Sequence, residues 1–587
     1  MAILQATDRE RIERLLSVAR ATRPLPAGDG SLYFASNRDG HVQVYRQDAP
    51  GAEPVNVHAS ETRMVPHAHT PLGLLVREDA GGNEVWQLGT VRDGDYRRLT
   101  HDSKAIHQSV TMHPDGRRAG LGWNPGGQAD MVLGEIDLAS GEMTRWVQPG
   151  GFWLWGAWSP DGNRAAVVKS MGTPTEAYVL GRDGEMTRLL SKSLRVLPVE
   201  WLDDGIVVVT DGGRDFFGVA VVDPAQPDVL ARWLFDEDHD VEGVAVDPAG
   251  KRAALIVNEG VYDSIRVVQL ADAGELERLS LPSGLVISDH SGDSDYHVSW
   301  SPDGERLFVS WERPTQPAEI YEWPSGTRWT VTGDAPAGLV EPEETSYESF
   351  DGLTIPALHY RVADGPRPAM VSFHGGPEGQ WRGTFVPAVH LLNTIGMDVF
   401  LPNVRGSTGY GLRYQGLDDK TLRWNSVKDG CEAARYLKRS GLATETAAMG
   451  GSYGGFMTLA VLVEDPELWD AAVETVGIAD WHTFFRNMPP WRGVLRMREY
   501  GDPNGSEANF LREISPLHRA GSIRAPLLVI HGRNDPRVPV GESVQISEAV
   551  PGAELLIFED EGHGVAKLPN QVKANRRILE FLTARLS

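Results

Sequence analysis

Ser452 lies at the centre of the segment 450–455, which reads GGSYGG. This is the G-x-S-x-G pattern of a nucleophile elbow, a sharp strand-to-helix turn that presents a serine hydroxyl for attack on a carbonyl carbon. Glycine is needed two residues before and after the serine, because a side chain there would clash across so tight a turn. Residues 445–449 predict a short buried strand and residues 456–463 a buried helix, so the flanks fit the motif. The pattern indicates a serine nucleophile.

A serine nucleophile needs a base, and the base needs a group that orients it. Asp535 follows an apolar strand predicted over 526–532, and His563 follows a strand predicted over 554–558. Both therefore lie just past the carboxyl end of a strand, where parallel sheets gather their ligands. The chain order Ser452, Asp535, His563 is that of the α/β-hydrolase fold. In this interpretation His563 takes the serine proton, and Asp535 fixes the tautomer of the imidazole.

Acyl transfer also needs hydrogen-bond donors for the oxyanion of its tetrahedral intermediate. The segment 374–377, HGGP, follows a strand predicted over 369–373 and is similar to the HGGG-type turn that supplies one backbone N–H. We expect Gly376 to take this role, with Gly375 as the alternative one residue away. The N–H of Tyr453, directly after the nucleophile, is the second expected donor.

The first half of the chain carries a repeated turn of the Pro-Asp-Gly type, in which Pro presets the turn and Gly supplies a positive φ. Successive turns are roughly 43 to 54 residues apart, near the period of a propeller blade. Seven repeats of four short strands predict a seven-bladed β-propeller. Six or eight blades remain alternatives, because the first two turns are degenerate. The turns lie at residues 26–30, 70–73, 113–116, 159–162, 202–205, 247–250 and 301–304.

Together these motifs make the chain resemble the prolyl oligopeptidase family of serine peptidases. GGSYGG and HGGP, with NVRGSTGYG at 403–411 and NDPRVP at 534–539, are most similar to the acylaminoacyl-peptidase branch. The resemblance covers the whole chain and implies a two-domain fold, an N-terminal β-propeller over 23–330 and a C-terminal α/β-hydrolase catalytic domain over 331–587. It further implies that a helix within residues 1–22 packs on the hydrolase domain.

The resemblance also implies how substrate is held. Arg537, two residues after the expected catalytic acid, would face the substrate backbone near P2, and a plain surface arginine is the alternative. Dipeptidyl-peptidase members hold a free amine with a paired Glu on the propeller, and no segment of 23–330 matches that pair, which disfavours an aminopeptidase.

An aromatic stretch between nucleophile and acid is a candidate lining for an apolar S1 pocket, and core packing is an equal alternative. We select Phe485 from it as the pocket residue. The stretch comprises Trp481, Phe484, Phe485 and Trp491.

The composition limits which partners and which cell compartment we expect for the protein. A net charge of −25 over 587 residues argues against a nucleic-acid partner, which would need a basic surface. The single cysteine, Cys431, excludes an intrachain disulfide, which fits a reducing compartment. With a charged N-terminus and no long apolar run, we expect a cytoplasmic protein without membrane contact. A homo-oligomer remains open.

We expect no cofactor and no metal. His67 and His69 offer two ligands at most, and the acidic loop with Asp289, Asp293 and Asp295 is a weak cation candidate.

These features favour a serine peptidase that acts on short peptides, N-acylated ones among them, with the propeller limiting substrate size. Three alternatives stay open. One is an esterase or amidase for small molecules, since the same triad serves both bonds. Another is a carboxypeptidase with Arg405 or Arg537 as the carboxylate clamp. The third is a propeller binding platform beside an inactive hydrolase domain.

Overall fold

In the first six repeats the turn joins the first two strands of a four-stranded antiparallel sheet, and in the seventh it joins the second and third strands of a five-stranded one. In the fourth sheet the strands Trp153–Trp158 and Arg164–Lys169 are joined by the turn 159–162. The N–H of Gly162 donates to the carbonyl of Ser159 at 2.8 Å, and Gly162 has a φ of +67°. The Pro-Asp-Gly signal thus marks the inner hairpin of a blade.

The computed structural model describes residues 6–169, 174–288, 297–333 and 335–586, and the acidic loop with Asp289, Asp293 and Asp295 lies outside them. Within these residues seven antiparallel sheets follow one another along the chain, each contiguous in sequence, which confirms the expected propeller. Their strands are β1 to β4 (Ala21–Pro26, Leu32–Ser36, Gln43–Gln47, Val55–Asn56), β5 to β8 (Arg63–Thr70, Gly73–Asp79, Gln87–Arg92, Asp95–Arg98), β9 to β12 (His107–Met112, Arg118–Trp123, Val132–Asp137, Met143–Val147), β13 to β16 (Trp153–Trp158, Arg164–Lys169, Glu176–Gly181, Met186–Leu189), β17 to β20 (Val196–Leu202, Gly205–Thr210, Gly218–Val222, Leu230–Phe235), β21 to β24 (Asp240–Val246, Arg252–Asn258, Asp263–Gln269, Glu275–Arg278) and β25 to β29 (Leu285–Val286, Val298–Trp300, Leu307–Arg313, Gln316–Trp323, Thr327–Arg328).

The last sheet closes on the first. Phe34 and Tyr45 of the first blade share one buried cluster with Phe308 and Ile320 of the seventh. Trp329, just past the last strand, is 2% exposed in this cluster, and its carbonyl accepts a hydrogen bond from Gln47 at 2.6 Å. Apolar packing rather than a shared strand therefore seals the ring.

The second domain is built on one eight-stranded sheet. Its strand order is β30-β31-β33-β32-β34-β35-β36-β37, antiparallel at the β30 end and parallel from β33 to β37. The parallel strands are short apolar runs, as expected for a sheet covered on both faces. The strands are β30 (Glu343–Glu348), β31 (Thr354–Tyr360), β32 (Arg367–Phe373), β33 (Asp398–Pro402), β34 (Ala443–Gly451), β35 (Ala471–Thr475), β36 (Leu527–Gly532) and β37 (Glu554–Phe558).

Helices cover both faces of this sheet. Ile12 and Leu15 of the N-terminal helix are buried in the same cluster as Ile578 and Phe581 of the C-terminal helix. These two helices therefore pack together on the hydrolase domain. None of the described helices combines the length and apolar character that a membrane span requires. The helices are α1 (Ala6–Leu16), α2 (Pro387–Thr394), α3 (Gly411–Gln415), α4 (Trp424–Arg439), α5 (Tyr453–Glu464), α6 (Trp481–Asn487), α7 (Pro490–Tyr500), α8 (Ala508–Glu513), α9 (Gly541–Ala549) and α10 (Leu568–Thr583).

Polar and aromatic contacts join the two domains. The guanidinium of Arg382 donates to the buried carboxylate of Asp263 on β23 at 2.7 Å. Trp491, in the first turn of α7, stacks on Phe152 of the propeller with ring centroids 5.7 Å apart. The propeller thus contacts the hydrolase domain at Arg382, shortly after the HGGP turn, and at Trp491 in α7.

Candidate active site

Ser452 occupies the sharp turn between β34 and α5 with a φ of +59°, in the left-handed region that non-glycine residues rarely adopt. A Cβ on Gly450 would fall on the carbonyl of Gly454, and a Cβ on Gly454 would fall on the carbonyl of Phe373. Both glycines of the motif are therefore required by close backbone approach. Such stored strain is typical of a residue held for function.

Asp535 and His563 meet at the carboxyl edge of the sheet. Nδ1 of His563 lies 2.7 Å from Oδ2 of Asp535, while Oδ1 of Asp535 accepts the backbone N–H groups of Arg537 at 2.7 Å and Val538 at 3.0 Å. Burial opposes ionisation of Asp535. The charges of His563 and of the nearby His531, together with their hydrogen bonds to the carboxylate, nevertheless hold the pKa of Asp535 well below its usual range. Burial lowers the pKa of His563, and the carboxylate only partly offsets this. The pair is thus an ionised acid beside a neutral imidazole.

Ser452 belongs to the same edge, because β34, β36 and β37 all end there. Its N–H donates to the carbonyl of Thr475 on the neighbouring strand at 3.0 Å. Among the described residues, its hydroxyl forms no hydrogen bond with His563. Bonds of this kind commonly shorten only when substrate is bound.

The HGGP turn lies beside the nucleophile. A Cβ on Gly375 would meet the Cβ of Ser452 at 3.6 Å, so the close approach to the serine is made by Gly375. Gly376 follows with a φ of +135°, and its carbonyl accepts the hydroxyl of Tyr500 at 2.9 Å. Tyr453 is the first residue of α5, and its N–H is one of the four at a helix start that lack an intrahelical partner. The assignment of the oxyanion donors to Gly376 and Tyr453 stays a prediction.

A propeller loop between β6 and β7 reaches His563, the expected catalytic base. A Cβ on Gly562, next to His563, would lie 2.7 Å from the carbonyl of Gly82. Glu84 of the same loop, with a φ of +57°, places its carboxylate 2.7 Å from Nη2 of Arg537. Arg492 of α7 donates to the other oxygen of Glu84, and burial lowers the pKa of Arg492 to about 10. The sequence reasoning missed Glu84, because no local motif marks it.

The aromatic stretch divides into core and rim. Trp481 and Phe484 are 0% and 2% exposed, so they pack in the hydrolase core. Phe485 is half-buried against them, with its ring 5.4 Å from that of Phe484 and 6.5 Å from that of Tyr500. Trp491 packs into the propeller instead. Of the four candidates, Phe485 is thus the one at the rim of the cluster, and its place in an S1 pocket stays a prediction.

Three carboxylates that the sequence did not group come together behind Tyr453. Asp418, Asp419 and Glu499 bring one oxygen each within 4.8 Å of one another. The buried guanidinium of Arg423 lies 3.0 Å from Asp418 and 2.7 Å from Glu499, and it donates to the Tyr453 hydroxyl at 3.0 Å. An internal guanidinium therefore already pairs with two of the three carboxylates, and we assign this cluster to holding the residue after the expected nucleophile.

Two further residues singled out in the sequence, His67 and Cys431, have structural contacts that account for them. Nε2 of His67 lies 2.7 Å from the carbonyl of Val110. Cys431 is fully buried on α4, where burial raises the pKa of its thiol, so it packs rather than reacts.

Comparison with known proteins gives the family of the C-terminal part of the chain. Residues 384–587 match the model of the prolyl oligopeptidase family. The chain is 27% identical to dipeptidyl aminopeptidase BIII of Pseudoxanthomonas mexicana, over 88% of this chain and 79% of that protein. It is 26% identical to acylamino-acid-releasing enzyme 1 of Oryza sativa subsp. japonica, over 34% of this chain and 28% of the relative. Several other curated relatives are matched over less than half of their own length.

A solved structure shares the whole fold. The crystal structure of puromycin hydrolase superposes with a TM-score of 0.84 at 20% identity, covering 98% of this chain and 96% of that one. The chain is therefore a serine peptidase whose C-terminal domain is of the prolyl oligopeptidase family.

Proposed function

We propose that the protein hydrolyses short peptides through an acyl-enzyme, with Ser452 as nucleophile, His563 as general base and Asp535 as its orienting acid. The serine hydroxyl attacks the scissile carbonyl and passes its proton to Nε2 of His563, which then returns it to the leaving amine. Backbone N–H groups of Gly376 and Tyr453 hold the oxyanion. Water repeats the cycle to release the acid.

The observation that carries this proposal is the 2.7 Å contact between Nδ1 of His563 and Oδ2 of Asp535. It fixes the proton on Nδ1 and leaves Nε2 as the acceptor. Because the pKa of His563 is lowered by burial, the imidazole is neutral near pH 7 and ready to accept a proton.

The propeller loop with Gly82 and Glu84 supports a limit on substrate size. This loop lies against the residue that precedes His563 and forms an ion pair with Arg537. A folded protein would have to displace it to reach Ser452, whereas an extended short peptide would not.

We propose Arg537 as a contact to the substrate backbone and N-acylated peptides as preferred substrates. Nε and Nη2 of Arg537 are bound to Glu84, and Nη1 has no partner among the described residues. Both oxygens of Glu84 are engaged by Arg537 and Arg492, so holding a free amine there would mean breaking one of these pairs. A blocked N-terminus avoids that cost.

A second candidate is the release of dipeptides from a free N-terminus. It is favoured by the relative named dipeptidyl aminopeptidase BIII, which matches most of the chain. A carboxypeptidase using Arg405 is less well supported, because the buried guanidinium of Arg405 is already bound to Asp351 and Asp429 at 2.8 to 2.9 Å. An esterase or amidase remains the third candidate.

Two measurements test these proposals. A fluorophosphonate should label the wild type and the exposed-loop control Ser506→Ala stoichiometrically, and Ser452→Ala not at all. A panel of matched fluorogenic substrates with acylated, free amino and free carboxyl ends, beside simple esters, then ranks the substrate classes by kcat/KM. Turnover of esters alone would refute peptide hydrolysis. Faster cleavage of substrates with a free amino end would favour the hypothesis of dipeptide release.

A further inference from the structure

A second imidazole contacts the carboxylate that orients His563. His531 is the penultimate residue of the mostly apolar strand β36 and is 0% exposed. Its Nε2 lies 3.3 Å from Oδ2 of Asp535, the oxygen that also binds His563, and 3.0 Å from the carbonyl of Val538. A carbonyl only accepts, so Nε2 of His531 carries a proton and points it between the two oxygens.

The other side of the His531 ring is held just as closely. Nδ1 of His531 lies 2.7 Å from the hydroxyl of Ser543 on α9, and that hydroxyl is 3.5 Å from Oε2 of Glu474 on β35. Ser543 and Glu474 are both fully buried. The second oxygen of Glu474 accepts the N–H of Gly477.

This chain of contacts ends beneath the nucleophile turn. A Cβ on Gly455, three residues after Ser452, would lie 3.0 Å from Oε1 of Glu474. The neighbour of Glu474 on β35, Thr475, accepts the N–H of Ser452 through its carbonyl at 3.0 Å. A continuous buried path therefore links the loop of the acid to the turn of the nucleophile.

The charges along this path are consistent with one shared proton. Burial raises the pKa of Glu474 to about 7, so a proton on this carboxyl can be donated toward Ser543. Burial opposes protonation of His531, but its hydrogen bond to Asp535 and the charges of Asp535 and Glu474 outweigh this and raise its pKa. Whether the shared proton is on Glu474 or on Nδ1 of His531, Nε2 of His531 keeps its own proton and donates it to Asp535.

We propose that His531 is a positioning residue for catalysis, which fixes Asp535 as a second N–H donor and is itself aligned by Ser543 and Glu474. The inference rests on the proposed Ser452, Asp535 and His563 triad. A donor on Oδ2 holds the carboxylate in the plane that His563 needs and withdraws negative charge from it. His531 does not touch substrate.

The charged groups around this pair are known from the contacts. Glu474 on β35 is the charged group on the Nδ1 side of His531, with Glu542 on α9 acting on Glu474 in turn, and His563 contacts the shared carboxylate of Asp535. Arg537 and Glu84 lie beyond His563. Substituting His531 leaves all of them in place, so a change in the pH profile reports on His531 itself.

The test compares His531→Leu, which removes the donor, with His531→Gln, which keeps an N–H near Nε2. For His531→Leu we expect kcat to fall about tenfold with little change in KM, as for a small misplacement of a catalytic group. The acid limb of kcat/KM should move up by about half a pH unit, because Asp535 then carries more charge and holds the His563 proton more tightly. His531→Gln should recover most of both effects.

His359→Gln is the matched control, since His359 is also buried beside a carboxylate, Asp398, at 3.7 Å, but on β31 away from the site. It should leave kcat and the acid limb unchanged. If His531→Leu does not fold, Ser543→Ala replaces it, and the same direction of change is expected.

The inference is overturned if a folded His531→Leu protein keeps the wild-type acid limb, or if His531→Gln is as impaired as His531→Leu. Either result would mean that His531 only fills the core. Fluorophosphonate labelling of the wild type distinguishes failure of the proposed triad from failure of the inference about His531. Unlabelled wild type refutes the triad, whereas labelled wild type with an unmoved acid limb refutes the role of His531 alone.

Discussion

The carboxylate of Glu84 on the propeller lies 2.7 Å from Nη2 of Arg537 on the hydrolase domain, two residues after the proposed catalytic acid Asp535. Both side chains are largely buried, with 15% and 25% of their surfaces exposed. Removing one partner of such a pair leaves an uncompensated charge, which is costly. The electrostatics of the site are therefore set by both domains together.

The first prediction concerns Glu84→Gln. The negative charge of Glu84 raises the pKa of His563, while Arg537 lowers it. Removing the carboxylate should therefore lower the His563 pKa and shift the acid limb of kcat/KM to lower pH by about half a unit. Arg537→Met should shift the limb in the opposite direction. A pH series with a blocked peptide substrate measures both variants.

Asp215→Asn is the matched control for Glu84→Gln. Asp215 also forms an ion pair across the domains, 2.8 Å from the exposed Arg413, but without contact to Arg537. The acid limb of kcat/KM for Asp215→Asn should stay at the wild-type pH. If Asp215→Asn moved the limb as far as Glu84→Gln does, domain attachment rather than local charge would control the site.

The second prediction concerns Tyr500→Phe. The Tyr500 hydroxyl donates to the carbonyl of Gly376 at 2.9 Å and so fixes the turn that carries one expected oxyanion donor. Losing this bond should lower kcat about tenfold with little effect on KM, because the donor is needed most in the transition state. Tyr414→Phe is the control, since its hydroxyl donates to the carbonyl of Asn403 at 2.8 Å. Equal losses in both variants would argue against a role for the turn.

The third prediction separates pocket from core among the aromatic residues. Phe485→Ala should change the ratio of kcat/KM for large and small apolar P1 residues, because Phe485 lies at the rim of the cluster. Phe484→Ala should instead lower the free energy of unfolding by about 3 to 5 kcal/mol, as expected for a buried ring that is 2% exposed. Unchanged P1 preference in Phe485→Ala would remove that residue from the pocket.

Much of the site could be anticipated because its signals are local. The glycines at 450 and 454 exist for steric reasons within one turn, and Asp535 and His563 each follow a short strand that is mostly apolar. The propeller repeats were visible because most of the repeated hairpins use similar turn chemistry. These signals depend only on residues that are close in the chain, so they can be recognised from the sequence.

The residues that were missed act across long sequence distances. Glu84 reaches Arg537 from the other domain, and nothing in its neighbourhood distinguishes it from a surface glutamate. His531 lies inside the strand predicted over 526–532 and no motif includes it, although a polar residue in a fully buried strand is itself a signal. Arg423 meets Glu499 from a separate helix.

The last prediction concerns stability in acid. His107 in the propeller and His359 on β31 are both buried, and burial lowers the pKa of each to about 4. In the unfolded chain a histidine titrates near 6.5, so between about pH 6.5 and 4 the unfolded state binds the extra proton. Stability should therefore fall as the pH drops through this window, by about 3 kcal/mol for each histidine. Thermal unfolding midpoints measured from pH 8 to 4 should show a shallower decline in His359→Gln than in the wild type. The exposed-residue control His101→Gln should follow the wild-type curve, and a His359→Gln curve with the wild-type slope would contradict the buried neutral state of that ring.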